Sequence, residues 1–476
     1  MPSYPGFIGP SYQSQSYMAD SEQLINRYPE RNESETAPSP WALLQCPGFA
    51  LVNAPTANMG SGMFSESGRT FFVTGFTLYE LNPDDTVTMR GVVVRDGNPV
   101  TFMSNGDAGH QLGLTSGNQF YVLNLTTNIL TNPATSGATM CGFLDGFGII
   151  LDATSSTVQV TAFEDFTTIS SAIAQRTAGS DPWKAMYVVN RLIYLLGEHT
   201  SEVWWDAGTA PFPFAPIQEA FMQQGIAAPF SGARLGTSLI WLSHNEQGRG
   251  QIVSVTGYTP GRISTHAVET SIATYRTISD AVAFSYQEHG HTFHVLTFPT
   301  ADRTWVFDQA TGLFHERLYW DTTKAMWLAY RPLFFASDLT RNLVQDRLTG
   351  AIYRMSTDLF TDVDGAMIRR LRQPPRLSFD QKRFTTHAIQ LVMDVGQGLA
   401  TGQGADPQIM RQTSKDGGQT WGHEQWASAG AIGATGTRVR WTQCGQARNR
   451  VDRFIDTDPV PSRWVDALID VTVGTS

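Results

Sequence analysis

From about residue 42 the chain alternates short apolar runs with turn-forming clusters. In segment 69–91 two apolar runs, FFV and FTLYEL, lie before the Asn82-Pro83-Asp84-Asp85 cluster, and TVTMRG follows it. This is strand punctuation, with Pro, Asn and Asp at the turn. Segments 110–133, 140–170, 183–217, 225–263 and 281–319 repeat the theme, and 327–355 does so more weakly. In each unit an apolar run, a turn and a second run ending in an aromatic precede a more polar strand. The units recur about every 35–45 residues, within the range of propeller blades. The pattern predicts about six to seven blades over residues 41–365, closed radially so that no long edge stays open. A pair of β-sandwiches is the structural alternative.

Outside that rhythm the pattern changes twice. Residues 1–40 are rich in Ser, Tyr, Pro and Gln, with a charged patch at Glu30–Glu35. They read as an extended N-terminal arm, packed along a neighbour or over the main domain. Around residues 366–376 the cluster Arg369, Arg370 and Arg372 runs into Pro374-Pro375, which predicts a linker. Residues 377–476 alternate again and predict a C-terminal antiparallel β-sandwich. Helix signal is confined to short stretches near Ser21–Asn26 and Thr270–Tyr275. The fold class is therefore all-β.

Composition narrows the function. Charged residues are 16% of the chain and the net charge is −10. An acidic chain grips nucleic acid poorly, because that affinity comes from Lys and Arg on phosphates. It could still surround DNA, since a weakly repulsive wall lets a polyanion slide. Cys46, Cys141 and Cys444 are far apart and odd in number, which speaks against a disulfide framework or a zinc ribbon. The opening residues lack the basic start and apolar run of a secretory signal. No uncharged apolar run approaches the roughly 18 residues of a membrane span. Synthesis in a cytosol and no membrane span are expected.

Candidate chemistry is sparse. Ser414, Asp416, Gly418, Thr420 and Trp421 fit the Asp-box pattern S-x-D-x-G-x-T-W. The pattern is a structural hairpin: Ser and Asp tie the turn, Gly supplies positive φ and Trp packs beneath. His289 and His291 would share a strand face, but no third ligand can be placed, so an exposed turn is the preferred reading. The carboxylates Asp84, Asp85, Glu164, Asp165, Asp362 and Asp364 read as turn residues; a glycosidase would need two converging across a cleft. Trp204 and Trp205 with Phe212, Phe214 and Phe221 read as blade packing, with sugar or base stacking as the alternative. No phosphate-binding loop, dinucleotide fingerprint or nucleophile elbow is present. No catalytic residue, cofactor or metal is assigned.

Residues 192–317 carry a resemblance. Gly197-Glu198-His199-Thr200-Ser201-Glu202-Val203-Trp204, Gln224-Gly225-Ile226-Ala227-Ala228-Pro229-Phe230-Ser231, Leu239-Ile240-Trp241-Leu242, Phe298-Pro299-Thr300-Ala301 and His315-Glu316-Arg317 are similar to the packaged-DNA stabilisation proteins of short-tailed bacteriophages. Asn26-Arg27-Tyr28-Pro29-Glu30 with Cys46-Pro47-Gly48-Phe49 resembles that family's opening. The resemblance implies a non-enzymatic virion protein made in the bacterial host cytoplasm. It implies a homohexameric ring below the portal and its head-to-tail adaptor that extends the double-stranded DNA channel and helps retain the genome. Tailspikes or tail fibres and a distal needle or plug would attach to it. The arm and the Arg-rich rim, with Tyr28, Pro29, Arg369, Arg370 and Arg372, are the expected interface. A glycan-binding or glycan-cleaving propeller, suggested by the Asp-box and the tryptophans, and a propeller scaffold with no viral role are the competing readings.

Overall fold

The computed structural model describes every residue except Glu35, Ala37, Pro38, Thr177, Ala178, Glu246, Thr475 and Ser476. The Glu35 end of the arm's charged patch thus lies outside the described residues. Six separate four-stranded sheets, with the first four strands of a ten-stranded sheet, form seven blades. Blades one to six follow chain order over 60–92, 101–131, 140–175, 183–216, 233–262 and 282–316. The seventh holds Pro332–Ser337, Asn342–Asp346 and Ile352–Ser356, and takes its fourth strand, Gly48–Asn53, from the other end of the chain. The first strand of the seventh blade meets that of the first, closing the ring. The buried Gln345 side chain locks that seam. Its Oε1 accepts from the Ser61 and Gly62 amides at 3.1 and 3.2 Å, and its Nε2 donates to the Val73 carbonyl at 3.0 Å.

Burial explains the repeat. Second strands such as Leu192–Gly197 (LIYLLG) are covered on both faces by neighbouring blades and read as continuous apolar runs. Fourth strands such as Asp165–Gln175 face solvent and are polar. Tight turns carry the residues that tolerate positive φ. Asn190 and Arg191, at φ 52° and 61°, both adopt it between the first two strands of blade four.

The C-terminal domain is a sandwich. One sheet orders Arg27–Arg31, Trp41–Gln45, Trp464–Val473, Phe384–Met393 and Val439–Ala447. The other orders Ser21–Ile25, Arg370–Gln373, Val451–Asp456, Gln408–Ser414 and Gln425–Ser428. This second sheet is continuous with the sixth blade, because Ile25 pairs in parallel with Glu316. One ten-stranded sheet therefore runs through both domains.

The arm reading is corrected here. Residues 1–31 are woven into the sandwich rather than extended from it. Tyr4, Phe7 and Leu24 lie in its core with Phe454 and Trp464. The Tyr4 amide donates to the Ala467 carbonyl, and the Ile469 amide to that of Pro2. Ser21–Ile25, expected as helix, is a strand, since five residues inserted between two strands gain more from ladder bonds than from a single helical turn. The stretch expected as linker contains the buried strand Arg370–Gln373. The helix expected near Thr270–Tyr275 runs over His266–Ile272, because Thr265 caps it by accepting from the Val268 amide.

Candidate functional site

The residues expected at an interface, Tyr28, Pro29, Arg369, Arg370 and Arg372, lie at or beside the junction of propeller and sandwich. Asn26 is its corner. At φ 56° it turns the chain from one sandwich sheet into the other. Its side chain donates to the Leu318 and Arg369 carbonyls, both at 2.8 Å, and accepts from the Leu318 amide at 2.9 Å. One amide side chain thus ties the N-terminal segment, the propeller and the Arg-rich strand. Asn suits the position because it tolerates the left-handed region and both donates and accepts.

Arg27 follows, fully buried. It donates to the Ser462 carbonyl at 2.8 Å and to Asp456 at 3.0 Å, and its guanidinium lies 3.6 Å above the Trp464 ring. Burial, partly offset by Asp456, lowers its pKa to about 10, so it stays charged at neutral pH. Tyr28 packs against His291 and Phe293 of the sixth blade, with ring centroids 5.0 and 5.2 Å away.

Arg370 and Arg372 are also fully buried. Arg370 lies 3.6 Å from Asp456. Arg372 clasps the N-terminal segment. It donates to the Phe7 and Gly6 carbonyls, both at 2.6 Å, to Pro10 at 3.0 Å and to the Glu22 carboxylate at 3.2 Å. Arg369 is partly exposed, stacked 4.4 Å from the Trp320 ring centre and 3.9 Å from Glu424. The side chains of Tyr28, Pro29, Arg370 and Arg372 are therefore used inside the chain. Burial removes them from the expected interface with a neighbour.

The histidine pair separates. His289 sits at the hairpin tip with φ 49° and contacts Thr357, while His291 is buried against Asp308 at 2.8 Å. That hydrogen bond holds the His291 pKa above its ordinary value. Among the described residues no group of three or more His, Cys, Asp or Glu side chains is arranged to hold a metal ion. The carboxylates have separate structural partners and do not converge on one cleft. Asp84 accepts from Thr86, Asp85 pairs with Arg341 at 2.8 Å, and Asp165 accepts from Thr167, while Glu164 beside it holds a left-handed turn position. Asp364 accepts from Tyr353. Asp362 accepts from the Val363 amide, and burial pushes its pKa up to about 7.

The Asp-box forms the hairpin between Gln408–Ser414 and Gln425–Ser428. Asp416 accepts from the Ser414 hydroxyl at 2.6 Å and from the Gln419 and Thr420 amides at 3.0 Å, and the Gly418 amide donates to Ser414 at 2.8 Å. These bonds hold its carboxyl well below the usual range. Trp421 is half-buried under Arg453, whose guanidinium lies 3.7 Å from the ring centre.

The aromatic cluster divides by strand alternation. Trp204 points inward against Trp183 and Phe212, Phe214 is buried, and Phe221 is part-exposed; Trp205 points out. Sequence reasoning missed the sandwich's ionic core, Arg411, Arg450 and Asp452. Asp452 pairs with Arg450 at 2.6 Å, and neither side chain is exposed. The available signal was charge recurring at inward-facing positions of the apolar strand Val451–Asp456.

The geometry defines a propeller and a sandwich joined by one continuous sheet and by the Asn26 corner, with the arginines buried on the sandwich side of the junction. Two family models match it in order. Bacteriophage P22 Gp10, beta-propeller, covers residues 11–360, and Bacteriophage P22 Gp10, beta-sandwich, covers 369–472. The chain belongs to this family of phage packaged-DNA stabilisation proteins, which are structural proteins of the phage virion. Among solved structures it is similar to the N-terminal domain of Nup159, with 10% identity, TM-score 0.42, and coverage of 71% of this chain and 99% of that one. BamB from Moraxella catarrhalis gives 10% identity, TM-score 0.38 and coverage of 65% and 99%. U3-55K gives 8%, 0.40, and 65% and 98%. No curated protein matches the chain.

Proposed function

We propose that the chain is the subunit of a homohexameric tail nozzle or hub ring, placed below the portal and its adaptor. The ring extends the channel through which double-stranded DNA leaves the capsid and helps retain the packaged genome. Tailspikes or fibres and a distal plug attach to it. The observation that carries this reading is the match of two family models, propeller then sandwich, over nearly the whole chain.

Two physical features support it. A net charge of −10 suits a wall that DNA passes without sticking. A closed head-to-tail ring needs two different faces on each copy at a constant angle. The continuous sheet and the seam bonds hold propeller and sandwich at one angle. With the arm and the Arg-rich strand used internally, the contacts between copies fall on the outer surfaces of the two domains. Imaging of the assembled particle tests the proposal: a six-fold ring of this chain coaxial with DNA density is expected. Absence of the chain from purified virions, or its presence away from the tail axis, would overturn it.

A further inference from the structure

Blades three, four and five share an open depression on the propeller surface. It is about 770 Å³, within the roughly 300–1,000 Å³ of small-ligand sites. Two exposed aromatic rings stand at it. Trp205 is 49% exposed on the third strand of blade four, and Tyr258 is 43% exposed at the last turn of blade five. The depression is also lined by the carboxylate residues Asp145, Asp206 and Glu219, the amide residues Asn190 and Gln218, and Arg191.

The backbone beneath each ring is fixed. Trp205 must face out because its neighbour Trp204 is wedged inward at 5.7 Å from Trp183. The turn bearing Tyr258 is tied by the buried Tyr194, whose hydroxyl donates to the Gly257 carbonyl at 2.9 Å. Arg191 is held by Asp145 at 2.8 Å, and the Asp206 carboxylate accepts from the Gly208 amide at 2.9 Å. Asp145, Asp206 and Asn190 are therefore held without a ligand, which limits the ordering cost of binding one.

We infer that this depression is a saccharide-binding site for a neutral oligosaccharide. A pyranose presents an apolar C–H face and a rim of hydroxyls. The two flat rings suit the first, and the carboxylates and amides, which accept hydrogen bonds from hydroxyls, suit the second. A protein partner fits poorly, because the core of a protein interface is depleted of charged residues and Asp145, Arg191, Asp206 and Glu219 all line this depression. An acidic sugar fits poorly too, since three carboxylates face a single guanidinium already paired with one of them. The site is separate from the Asp-box, and the inference does not rest on the ring proposed above.

The test uses the purified full-length chain. Maltotriose, cellotriose, N,N′,N″-triacetylchitotriose and mannotriose are the probes, with sialyllactose as the anionic control. Saturation-transfer NMR and tryptophan fluorescence report binding. At least one neutral trisaccharide is expected to bind and the control is not. Trp205→Ala and Tyr258→Ala should each weaken that binding about tenfold, equivalent to about 1.4 kcal/mol. Trp205→Leu, which keeps an apolar side chain and loses the flat ring, should weaken it similarly, while Trp421→Ala in the Asp-box should leave it unchanged. Thermal unfolding confirms that each variant is folded. Failure of every neutral probe, equal binding of sialyllactose, or binding that survives loss of both rings would overturn the inference.

Discussion

Arg372→Ala separates a surface role for the Arg-rich strand from a clasp inside the chain. Arg372 holds the Gly6, Phe7 and Pro10 carbonyls, more loosely that of Gln23, and the Glu22 carboxylate. Each bond from a charged donor contributes roughly 1.5–3 kcal/mol on its own, but several bonds from one group are not additive. The better guide is the loss of one partner of a buried ion pair, about 3–5 kcal/mol, because Glu22 is left without its countercharge. The segment's carbonyls can regain water by fraying, so the total should stay near that range. Urea unfolding of the full chain, followed by tryptophan fluorescence at pH 7, measures the loss. Limited proteolysis should show new cleavage within residues 1–20 of the variant only. Burial already raises the Glu22 pKa despite Arg372, and without Arg372 it rises further. A raised carboxyl favours the fold below its unfolded pKa and disfavours it as pH climbs through the folded one, so the variant's deficit should be larger at pH 8 than at pH 5. Arg369→Ala, at a partly exposed pair, should cost under about 1 kcal/mol. A change under about 1 kcal/mol for Arg372→Ala, with the N-terminus still protected, would refute the clasp.

Phe7→Ala should cost about 3–5 kcal/mol, because Phe7 fills the sandwich core against Phe454 at 5.6 Å and Trp464 at 6.3 Å; the urea midpoint and near-UV circular dichroism report it. Asp362→Asn should raise the urea midpoint at pH 8 and change it less at pH 5. The buried carboxyl, pushed up to about 7, opposes the fold once ionised, and Asn keeps an acceptor for the Val363 amide. Cys46, Cys141 and Cys444 are free and buried, and burial pushes the Cys46 and Cys141 thiols up, the latter to about 12. A thiol-specific chromogenic disulfide should therefore react with them only as fast as the chain unfolds, and a fast phase in native buffer would contradict that.

The propeller was legible because its signal is local. A buried second strand such as Leu192–Gly197 reads as an unbroken apolar run, a solvent-facing fourth strand reads as polar, and Asn, Asp and Gly mark the turns. The Asp-box was legible for the same reason, since its bonds all lie within a few residues. Residues 1–31 were misread because nothing local distinguishes a polar arm from a strand supplied to a distant sheet. Tyr4 and Phe7 acquire their core chiefly through distant partners such as Phe454 and Trp464, more than 400 residues away. The Arg-rich strand failed likewise: Arg370 and Arg372 look solvated until Asp456, Glu22 and the carbonyls of residues 6–10 surround them. Trp204 and Trp205 were seen as one cluster, although strand alternation sends one inward and the other to solvent.

The seam shows why charged and amide side chains occupy places that apolar ones could fill. Well-packed apolar residues often stabilise as much as a buried ion pair, so stability alone does not account for Arg27, Arg370 and Arg372. Apolar contact is non-directional, and the small apolar cluster at the junction, Ile25, Leu318, Leu371, Met410 and Ile455, would tolerate a range of angles between the domains. Hydrogen bonds to backbone carbonyls weaken steeply away from their preferred directions. Across the junction Asn26 bonds both the carbonyl and the amide of Leu318, and the Ser11 amide donates to the Phe314 carbonyl, while Arg27 and Arg372 fix the segments of the sandwich itself. With Ile25 also paired to Glu316 in the shared sheet, the bonds are satisfied together at one orientation. A ring closes only when every copy presents its two faces at the same rotation. In the ring proposed above, the shared sheet and the Asn26 bonds would give every copy the same angle between its two domains, because that angle is set by hydrogen-bond geometry.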